Sequence, residues 1–438
     1  MPKTVLRISA LLACAMTFAP AAIAADKPII DTGDTAWLLV ATALVLMMNI
    51  PGLALFYAGM VRKKNVLATA VQAFAVAALV TVLWFMVGYS LAFTHGGDLN
   101  TVIGSLSRAF GRGLLGSTHA LAKTVPENVF LMYQATFAVI TPAIIAGAFA
   151  ERMKFSAMLW FMALWLLFVY VPVAHWVWGG GFLGAAGVLD FAGGLVVHLN
   201  AGIAGLVCCL VIGKRQGYGT EYMAPHNLVL TLVGTSLLWV GWFGFNAGSA
   251  LSSGELAGSA MLNTHISAAV AALTWMAIEW TSRGKPSVLG ILSGAVAGLG
   301  TITPAAGYVE PWAALLIGVA AGAACYWASV VLKNRLGYDD SLDVFGVHGV
   351  GGIVGTILVG VFATRLINDV HKGQPVGLVD GNGGQILTQL YGVAAVAVFC
   401  AVATWIILKL VDAMVGLRVT RDEETEGLDT ALHGERVQ

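Results

Sequence analysis

Two histidines lie in apolar stretches where a titratable side chain is unusual. His198 ends the run DFAGGLVVH that begins at Asp190, and His348 ends the run DVFGVH that begins at Asp343. A neutral imidazole has one donor and one acceptor nitrogen, so two in contact can share a proton and still offer polar atoms to a small solute. Titratable groups inside a membrane usually line a transport path. A structural hydrogen bond between helices and a metal site, which needs further ligands, are the alternatives.

The rest of the composition is typical of an integral membrane protein. Of the 438 residues, 58% are hydrophobic and 11% are charged, whereas soluble domains have about 25% charged residues. The formal net charge is zero, so the chain has no basic surface of the kind that binds nucleic acid. We therefore expect most of the chain to lie within lipid.

The N-terminus has the pattern of a secretory signal peptide. Lys3 and Arg7 precede the apolar run 8–18, and small residues follow it up to Ala25. This pattern predicts a cleaved signal over 1–25, with an uncleaved first helix as the alternative. The predicted domains are the signal, a transmembrane domain over 26–416 and a C-terminal tail over 417–438.

Eleven apolar stretches are each long enough for a membrane-spanning helix, which needs about 20 residues. They are 35–58, 66–93, 126–149, 155–174, 190–212, 227–249, 258–281, 286–304, 311–332, 344–364 and 385–412. Lys and Arg concentrate on alternate loops, which predicts an N-terminus outside the cytoplasm and a tail inside it. The predicted fold is an all-α integral membrane protein.

The first ten predicted helices form two copies of a five-helix unit. Residues 55–59 (LFYAG) echo residues 244–248 (GFNAG), and the two Asp-to-His runs occupy the fifth helix of each copy. An odd number of helices inverts the second copy, as in many transporters. His198 lies about 12 Å along its helix from Asp190, and His348 lies about 7.5 Å along its helix from Asp343. The two histidines would then approach the middle of the membrane from opposite faces. The eleventh helix is extra.

Aromatic and hydroxyl side chains concentrate near the predicted outer ends of helices. The members of this set are Phe137, Trp176, Trp178, Trp242, Phe243, Phe245, Thr136 and Ser249. Aromatic faces attract cations and a hydroxyl accepts an N–H bond, so the set favours a small cation with N–H donors. An interfacial aromatic belt is the alternative. Asp190, at a helix start, is expected to cap backbone N–H groups.

Long motifs carry a resemblance to a known family. They are IPGLALFYAGMVRKKNVL, FAERMKFSA, VPVAHWVWGGG, LDFAGGLVVHLNAGIAGL, GKRQGYG, PHNL, GWFGFNAGSA, RGKPSVLG, ITPAAGY, DVFGVHGVGGIVG and VGLRVTRDEETEGLD. In this order, from about residue 35 to 432, the sequence resembles the ammonium transporter family (Amt/Mep/Rh), and more closely its bacterial Amt branch.

The resemblance implies a homotrimer in the bacterial inner membrane with one pore in each protomer. By motif position, the resemblance assigns the outer cation site to Phe137, Trp178 and Ser249, with Asp190 supporting it. It assigns the stacked aromatic gate to Tyr133 and Phe245 and the twin-histidine pair to His198 and His348. By the same resemblance, Thr303 is a secondary pore residue. The best-known family pattern has Phe at the outer gate position, where this chain has Tyr133.

The resemblance also implies regulation by a PII-type signalling protein on the cytoplasmic face. The surface would consist of 214–222, 333–340 and the tail from Val415. Selective ammonium uptake is the leading hypothesis, with NH₃ passing the histidines either alone or together with a proton that the pair carries separately. An ammonium sensor with little flux and a membrane metalloenzyme are the alternatives. We expect no catalytic activity, cofactor or metal.

Overall fold

The computed structural model describes residues 29–437, so the predicted signal peptide lies outside the described residues. Ten helices there are long and apolar enough to cross a membrane, and a shorter apolar helix completes the predicted eleven. They are α1 Thr32–Met60, α2 Lys63–Phe93, α3 Glu127–Phe149, α4 Phe155–Ala185, α5 Gly194–Ile212, α6 Leu228–Gly248, α7 Glu255–Arg283, α8 Val288–Ile302, α9 Pro311–Leu336, α10 Phe345–Phe362 and α11 Gly384–Val415.

Several helices begin where a side chain can bind the first free N–H groups. Asp31 accepts from Asp34 N at the start of α1, Asn227 accepts from Val229 N and Leu230 N at α6, and Ser287 does the same at α8. Such caps satisfy donors that have no intrahelical partner. Local polar residues thus fix where these apolar runs enter the membrane.

Two five-helix repeats, α1–α5 and α6–α10, precede the extra helix α11. Equivalent helices of the two repeats pack on each other, α1 on α6 and α5 on α10. The α5–α10 crossing depends on glycine, because a Cβ at Gly202 would lie 2.2 Å from Gly349 Cα and one at Gly352 would lie 2.6 Å from Leu199 N. Small residues let helix backbones approach closely. The two histidine-bearing helices can therefore touch.

Outside the helices, the long stretch between α2 and α3 contains a short antiparallel hairpin. Its strands are β1 Thr118–His119 and β2 Ala122–Pro126. The apolar pattern of the sequence predicts only helices, so this hairpin was not expected. It is too short to have a period-two pattern that sequence alone would reveal.

The tail forms two short helices, α12 Arg421–Glu426 and α13 Leu428–His433, that lie against one end of the spanning helices. We call this end the inner face and the opposite end the outer face. The Asp429 carboxylate accepts from Leu67 N and Ala68 N at 3.1 and 2.7 Å. A carboxylate at the start of α2 is favoured by the helix dipole as well as by these two bonds. The tail is thus joined to the first repeat.

Candidate functional site

His198 and His348 meet in the membrane interior, as the repeat predicts. Their Nδ1 atoms are 3.1 Å apart, and the ring centroids are 5.2 Å apart with planes 13° apart. Both side chains are buried. A nitrogen–nitrogen hydrogen bond needs one donor and one acceptor, so in a neutral pair one ring is protonated on Nδ1 and the other on Nε2. Within the described part of the chain, His198 Nε2 has no partner.

Asp190 sets the start of α5 and hence the depth of His198. Its carboxylate accepts four backbone N–H groups, from Gly193, Gly194, Leu195 and Val196, at 2.6–3.1 Å. The predicted cap is therefore present. The predicted helix start at residue 190 is wrong, because Gly193 has φ 115° and the helix begins only at Gly194. His198 is thus in the first turns of its helix.

The second repeat places its capping carboxylate differently. Asp340 Oδ2 accepts from Phe345 N at 2.7 Å, at the start of α10. Asp343, which the sequence echo aligns with Asp190, has φ 59° and forms an ion pair with Lys333. The inner end of α10 therefore contains a structural ion pair as well as a cap. Both histidines lie in a short π-helical turn, Gly194–Leu199 and Phe345–Gly349, a feature frequent at functional sites.

Trp242 also lies against the His198 ring. The two rings are stacked, with centroids 5.4 Å apart and planes 17° apart. Trp242 Nε1 donates to Thr303 Oγ1 at 3.0 Å, and Thr303 in turn donates to Leu299 O. Thr303 is therefore connected to the histidine pair through the indole. The resemblance predicts Thr303 as a secondary pore residue, whereas Trp242 is expected only among the aromatic residues near the outer ends of helices.

The aromatic ring that covers Phe245 belongs to Phe137. Their centroids are 4.3 Å apart, with planes at 31°, and Phe245 lies 6.0 Å from the His198 ring. The resemblance predicts a stack of Tyr133 on Phe245, and this geometry is wrong. Tyr133 is one helical turn earlier on α3 and contacts Phe137 edge-on at 5.1 Å. The rings of Phe137, Phe245 and His198 form a continuous column into the membrane.

The Tyr133 hydroxyl is bonded to the end of α6. It lies 3.0 Å from Gly244 O, 2.9 Å from Phe245 O and 3.2 Å from Ser249 Oγ. A Cβ at Gly248 would be 2.6 Å from this hydroxyl oxygen, so the phenol fits because residue 248 is glycine. The polar tip of Tyr133 therefore has protein partners, among them the hydroxyl of Ser249.

Trp178 completes the aromatic wall around Phe137. The two rings are perpendicular, with centroids 5.9 Å apart, and Trp178 Nε1 donates to Asp190 O at 2.9 Å. Asp190 therefore fixes both α5 and the indole, while its carboxylate oxygens are occupied by N–H donors. The structure brings Phe137, Trp178, Ser249, Asp190, Phe245 and Tyr133 together near the outer end of the column.

No group of three or more His, Cys, Asp or Glu side chains able to hold a metal occurs within residues 29–437.

The loops at the inner face contain buried ion pairs. Glu151 bonds to Arg62 at 2.7 Å and to Arg215 at 3.4 Å, and Arg215 bonds to Asp339 at 2.8 Å. Burial by itself raises the pKa of Glu151, but Arg215 and Arg62 more than offset this and hold it below its ordinary value.

The fold and site together define a class: a multi-pass membrane protein with a narrow aromatic and histidine-containing column through one chain. The Ammonium Transporter Family model matches residues 36–438. The ammonium transporter of Bacillus subtilis is 48% identical over 405 residues, covering 92% of this chain and 98% of the relative. That of Aquifex aeolicus is 50% identical over 414 residues, covering 94% and 95%.

Solved structures agree with these sequence relatives. The crystal structure of Saccharomyces cerevisiae Mep2 has a TM-score of 0.84 at 38% identity, covering 90% of this chain and 88% of that one. A structure described as a sensor Amt protein has a TM-score of 0.83 at 27% identity, covering 92% and 98%. This chain belongs to the ammonium transporter family, and ammonium transport is its function at that level.

Proposed function

We propose that the chain recruits NH₄⁺ at the outer end of the aromatic column, removes one proton and conducts NH₃ past His198 and His348. The observation that carries the proposal is the Nδ1–Nδ1 contact of 3.1 Å at the base of that column. An apolar path strongly disfavours a bare charge, so neutral NH₃ crosses more easily than NH₄⁺. The histidine pair supplies donor and acceptor nitrogens along the path.

Recognition of the cation is assigned to Phe137, Trp178 and Ser249. The two rings are perpendicular with centroids 5.9 Å apart, and aromatic faces attract a small cation. Ser249 Oγ donates to Phe245 O at 2.9 Å, so its lone pairs can accept an N–H bond. Asp190 supports the site by holding Trp178 Nε1 and the start of α5. Below it, Phe137 and Phe245 act as the gate, with Tyr133 holding Phe137 from the side.

The proton follows a separate route through the histidine pair, which makes transport electrogenic. Proteoliposomes with the purified protein test both parts at once, by ammonium uptake and ammonium-evoked current. Uptake with current supports the relay, whereas uptake without current limits the mechanism to NH₃ conduction. Failure of uptake by intact, folded protein contradicts the proposal.

The pair is tested by His198→Ala and His348→Ala. Each removes one partner of the Nδ1–Nδ1 bond, so each is expected to abolish the current or to change ion selectivity while the protein stays folded. Histidine to alanine at the exposed His95 is the matched control and should behave as wild type. Wild-type rate and selectivity in both pore variants would show that the relay is absent.

A sensor that binds ammonium with little flux is the second candidate function. The tail is docked on the inner loops through Glu424, which accepts from Gln216 N at 2.7 Å and from Arg418 at 2.7 Å, and the similar solved structure is described as a sensor. High-affinity ammonium binding with no uptake would favour this function. Sustained uptake excludes it as the main role.

We propose that the protein is a homotrimer in the bacterial inner membrane, surrounded by lipid, with the tail in the cytoplasm after signal cleavage near residue 25. Lys and Arg on alternate loops support this orientation, and large apolar side chains exposed around the helices support a lipid or subunit environment. Native mass spectrometry measures the subunit count, N-terminal sequencing locates the cleavage, and a C-terminal reporter fusion determines the side of the tail. A monomer or an outside tail would contradict the arrangement.

The proposed partner is a PII-type signalling protein at the inner face. The candidate surface combines 214–222, 333–340 and the tail from Val415. In support, Arg418 donates to Lys214 O at 2.7 Å, so tail and loop form one continuous surface. Binding of purified PII protein to proteoliposomes, measured by co-sedimentation with and without the tail, tests the assignment. Equal binding after removal of the tail would exclude the tail from the surface.

A further inference from the structure

His175 is a fully buried histidine whose two ring nitrogens both face carbonyl oxygens. Nδ1 lies 2.9 Å from Ala92 O and Nε2 lies 2.7 Å from Asn100 O. A carbonyl oxygen accepts and never donates, and a neutral imidazole has a single N–H. With one N–H, a lone pair of the ring would face a carbonyl lone pair at hydrogen-bond distance. Only the doubly protonated ring satisfies both contacts.

His119 provides a contrast on the same helix end. Its Nε2 lies 2.9 Å from Phe93 O, while its Nδ1 accepts from Leu121 N at 3.2 Å. One carbonyl and one N–H match the neutral ring, and burial lowers the pKa of His119 below its ordinary value. The two histidines thus satisfy neighbouring carbonyls at the C-terminus of α2, but with different numbers of protons.

The end of α2 is suited to a buried positive charge. Ala92 belongs to its last turn, where free carbonyls form the negative end of the helix dipole. Titratable side chains on the packed segments have other partners or are exposed: Tyr89 bonds to Glu127, His198 bonds to His348, and His95 and Asp98 are exposed. Tyr170, also on a packed segment, is a buried phenol. The two carbonyl groups are thus the direct partners of the ring.

The contacts of His175 surround the turn that carries Trp178. His175 O accepts from Gly179 N and Gly181 N, both at 2.9 Å. A Cβ at Gly179 would lie 1.9 Å from Ala92 O and 2.6 Å from His175 Nδ1, so the turn packs directly on this hydrogen bond. Asn100 Nδ2 also donates to Gly180 O at 3.1 Å. Movement of the ring would therefore move Trp178.

We propose that His175 is a positively charged positioning residue that joins Ala92 O to Asn100 O and thereby fixes Trp178 at the outer cation site. Its effect on ammonium rests on the proposed function, whereas its protonation does not. A doubly donating ring has both bonds charge-assisted, and such bonds are shorter and stronger than neutral ones. The neutral ring would lose one of the two.

The protonation is measured by solid-state NMR of ¹⁵N-histidine-labelled protein in liposomes at about pH 7.5, where an ordinary histidine is mostly neutral. The chain has nine histidines, and the signals missing from His175→Gln identify this residue. We expect two protonated nitrogens. If that variant does not fold, the wild-type spectrum alone decides, since it must contain one persistent imidazolium. A spectrum with only neutral rings overturns the proposal.

The positioning role is measured by ammonium uptake. His175→Gln keeps a donor but loses the rigid bridge, so the half-saturation concentration should rise about fivefold to tenfold with a smaller change in maximal rate. His119→Gln is the control and should change the half-saturation concentration less than about twofold. Equal changes in the two variants overturn the positioning role. If the wild type takes up no ammonium, the proposed function fails while the NMR result still decides the charge.

Discussion

The arginines Arg152 and Arg215 at the inner face have several partners each, whereas the histidine pair in the membrane interior has few. Arg152 is buried, and its guanidinium bonds to the carbonyls of Ala148, Ala150, Gly213 and Asp339 and to a serine hydroxyl. His198 has His348 on Nδ1 and, within residues 29–437, no partner on Nε2. Because buried polar atoms are normally hydrogen-bonded, the unpaired nitrogen is available to a solute or water.

The polar side chains of the two regions therefore have different roles, which are structural at the inner face and functional in the pore. At the inner face, the side chains of Arg152, Arg215 and Glu151 are held by protein partners, so their removal should reduce stability. In the pore, the polar atoms contribute little to the hydrogen bonds that hold the helices together, and their removal should change transport. Variants at the inner face should therefore lose stability, whereas variants in the pore should change transport.

The largest expected effect is on stability, from Arg215→Ala. The change leaves the buried Asp339 without its bidentate partner and Glu151 with one arginine instead of two. Removing one partner of a buried ion pair costs about 3–5 kcal/mol, so the free energy of unfolding in mixed micelles should fall by that amount. Lys63→Ala, at an exposed position, should change it by less than about 0.5 kcal/mol. Equal free energies of unfolding for the two variants would show that the inner cluster, formed by Arg215, Glu151 and Asp339, does not stabilise the fold.

Acid should produce a smaller loss of stability at the same cluster. Burial raises the pKa of Asp339, but its bonds to Arg215 offset this and hold the pKa below its ordinary value, as they do for Glu151. A carboxyl with a lowered folded-state pKa stabilises the protein above the unfolded value, about 4. This contribution is lost as the pH falls through the folded value. Melting temperatures between pH 6 and 3 should fall below about pH 4, less steeply in Arg215→Ala. Parallel curves would contradict this explanation.

A change beside the pore should affect both stability and transport. Thr303→Val removes the acceptor of Trp242 Nε1 and leaves a buried donor unpaired, which costs about 1–3 kcal/mol. The indole stacked on His198 should then be less well fixed, and the maximal rate of ammonium uptake should fall. Thr303→Ser retains the hydroxyl and should restore both quantities. If uptake by Thr303→Val equals that of wild type, the indole does not position the pair.

Sequence predicted the helices and the histidine contact because both follow from long-range patterns. Apolar length defines the spans, and the odd-numbered repeat brings residues 198 and 348 together. Which side chain stacks on Phe245 was not predictable in this way, because Tyr133 and Phe137 lie one turn apart on the same helix face. Likewise Asp343 and Asp340 are both close to the start of α10, and only the backbone conformation decides which one caps it. His175 gave no signal, because its partners are carbonyls of residues 75 and 83 positions earlier.

The smallest expected effect comes from Tyr133→Phe, which removes one hydroxyl and keeps the ring. Its oxygen contacts two carbonyls at the end of α6 and Ser249 Oγ, and a neutral hydrogen bond contributes about 1 kcal/mol. We expect ammonium half-saturation to rise about twofold to fivefold, because Ser249 loses a partner that orients its hydroxyl. Gly248→Ala places a methyl group 2.6 Å from the same oxygen, so it should be less harmful when combined with Tyr133→Phe. Additive effects of the two changes would show that the methyl group and the hydroxyl do not collide. An unchanged half-saturation concentration in Tyr133→Phe would separate the phenol from the outer site, whereas a rise would show that this hydroxyl, although bonded like the polar groups of the inner face, acts on the ligand as the pore residues do.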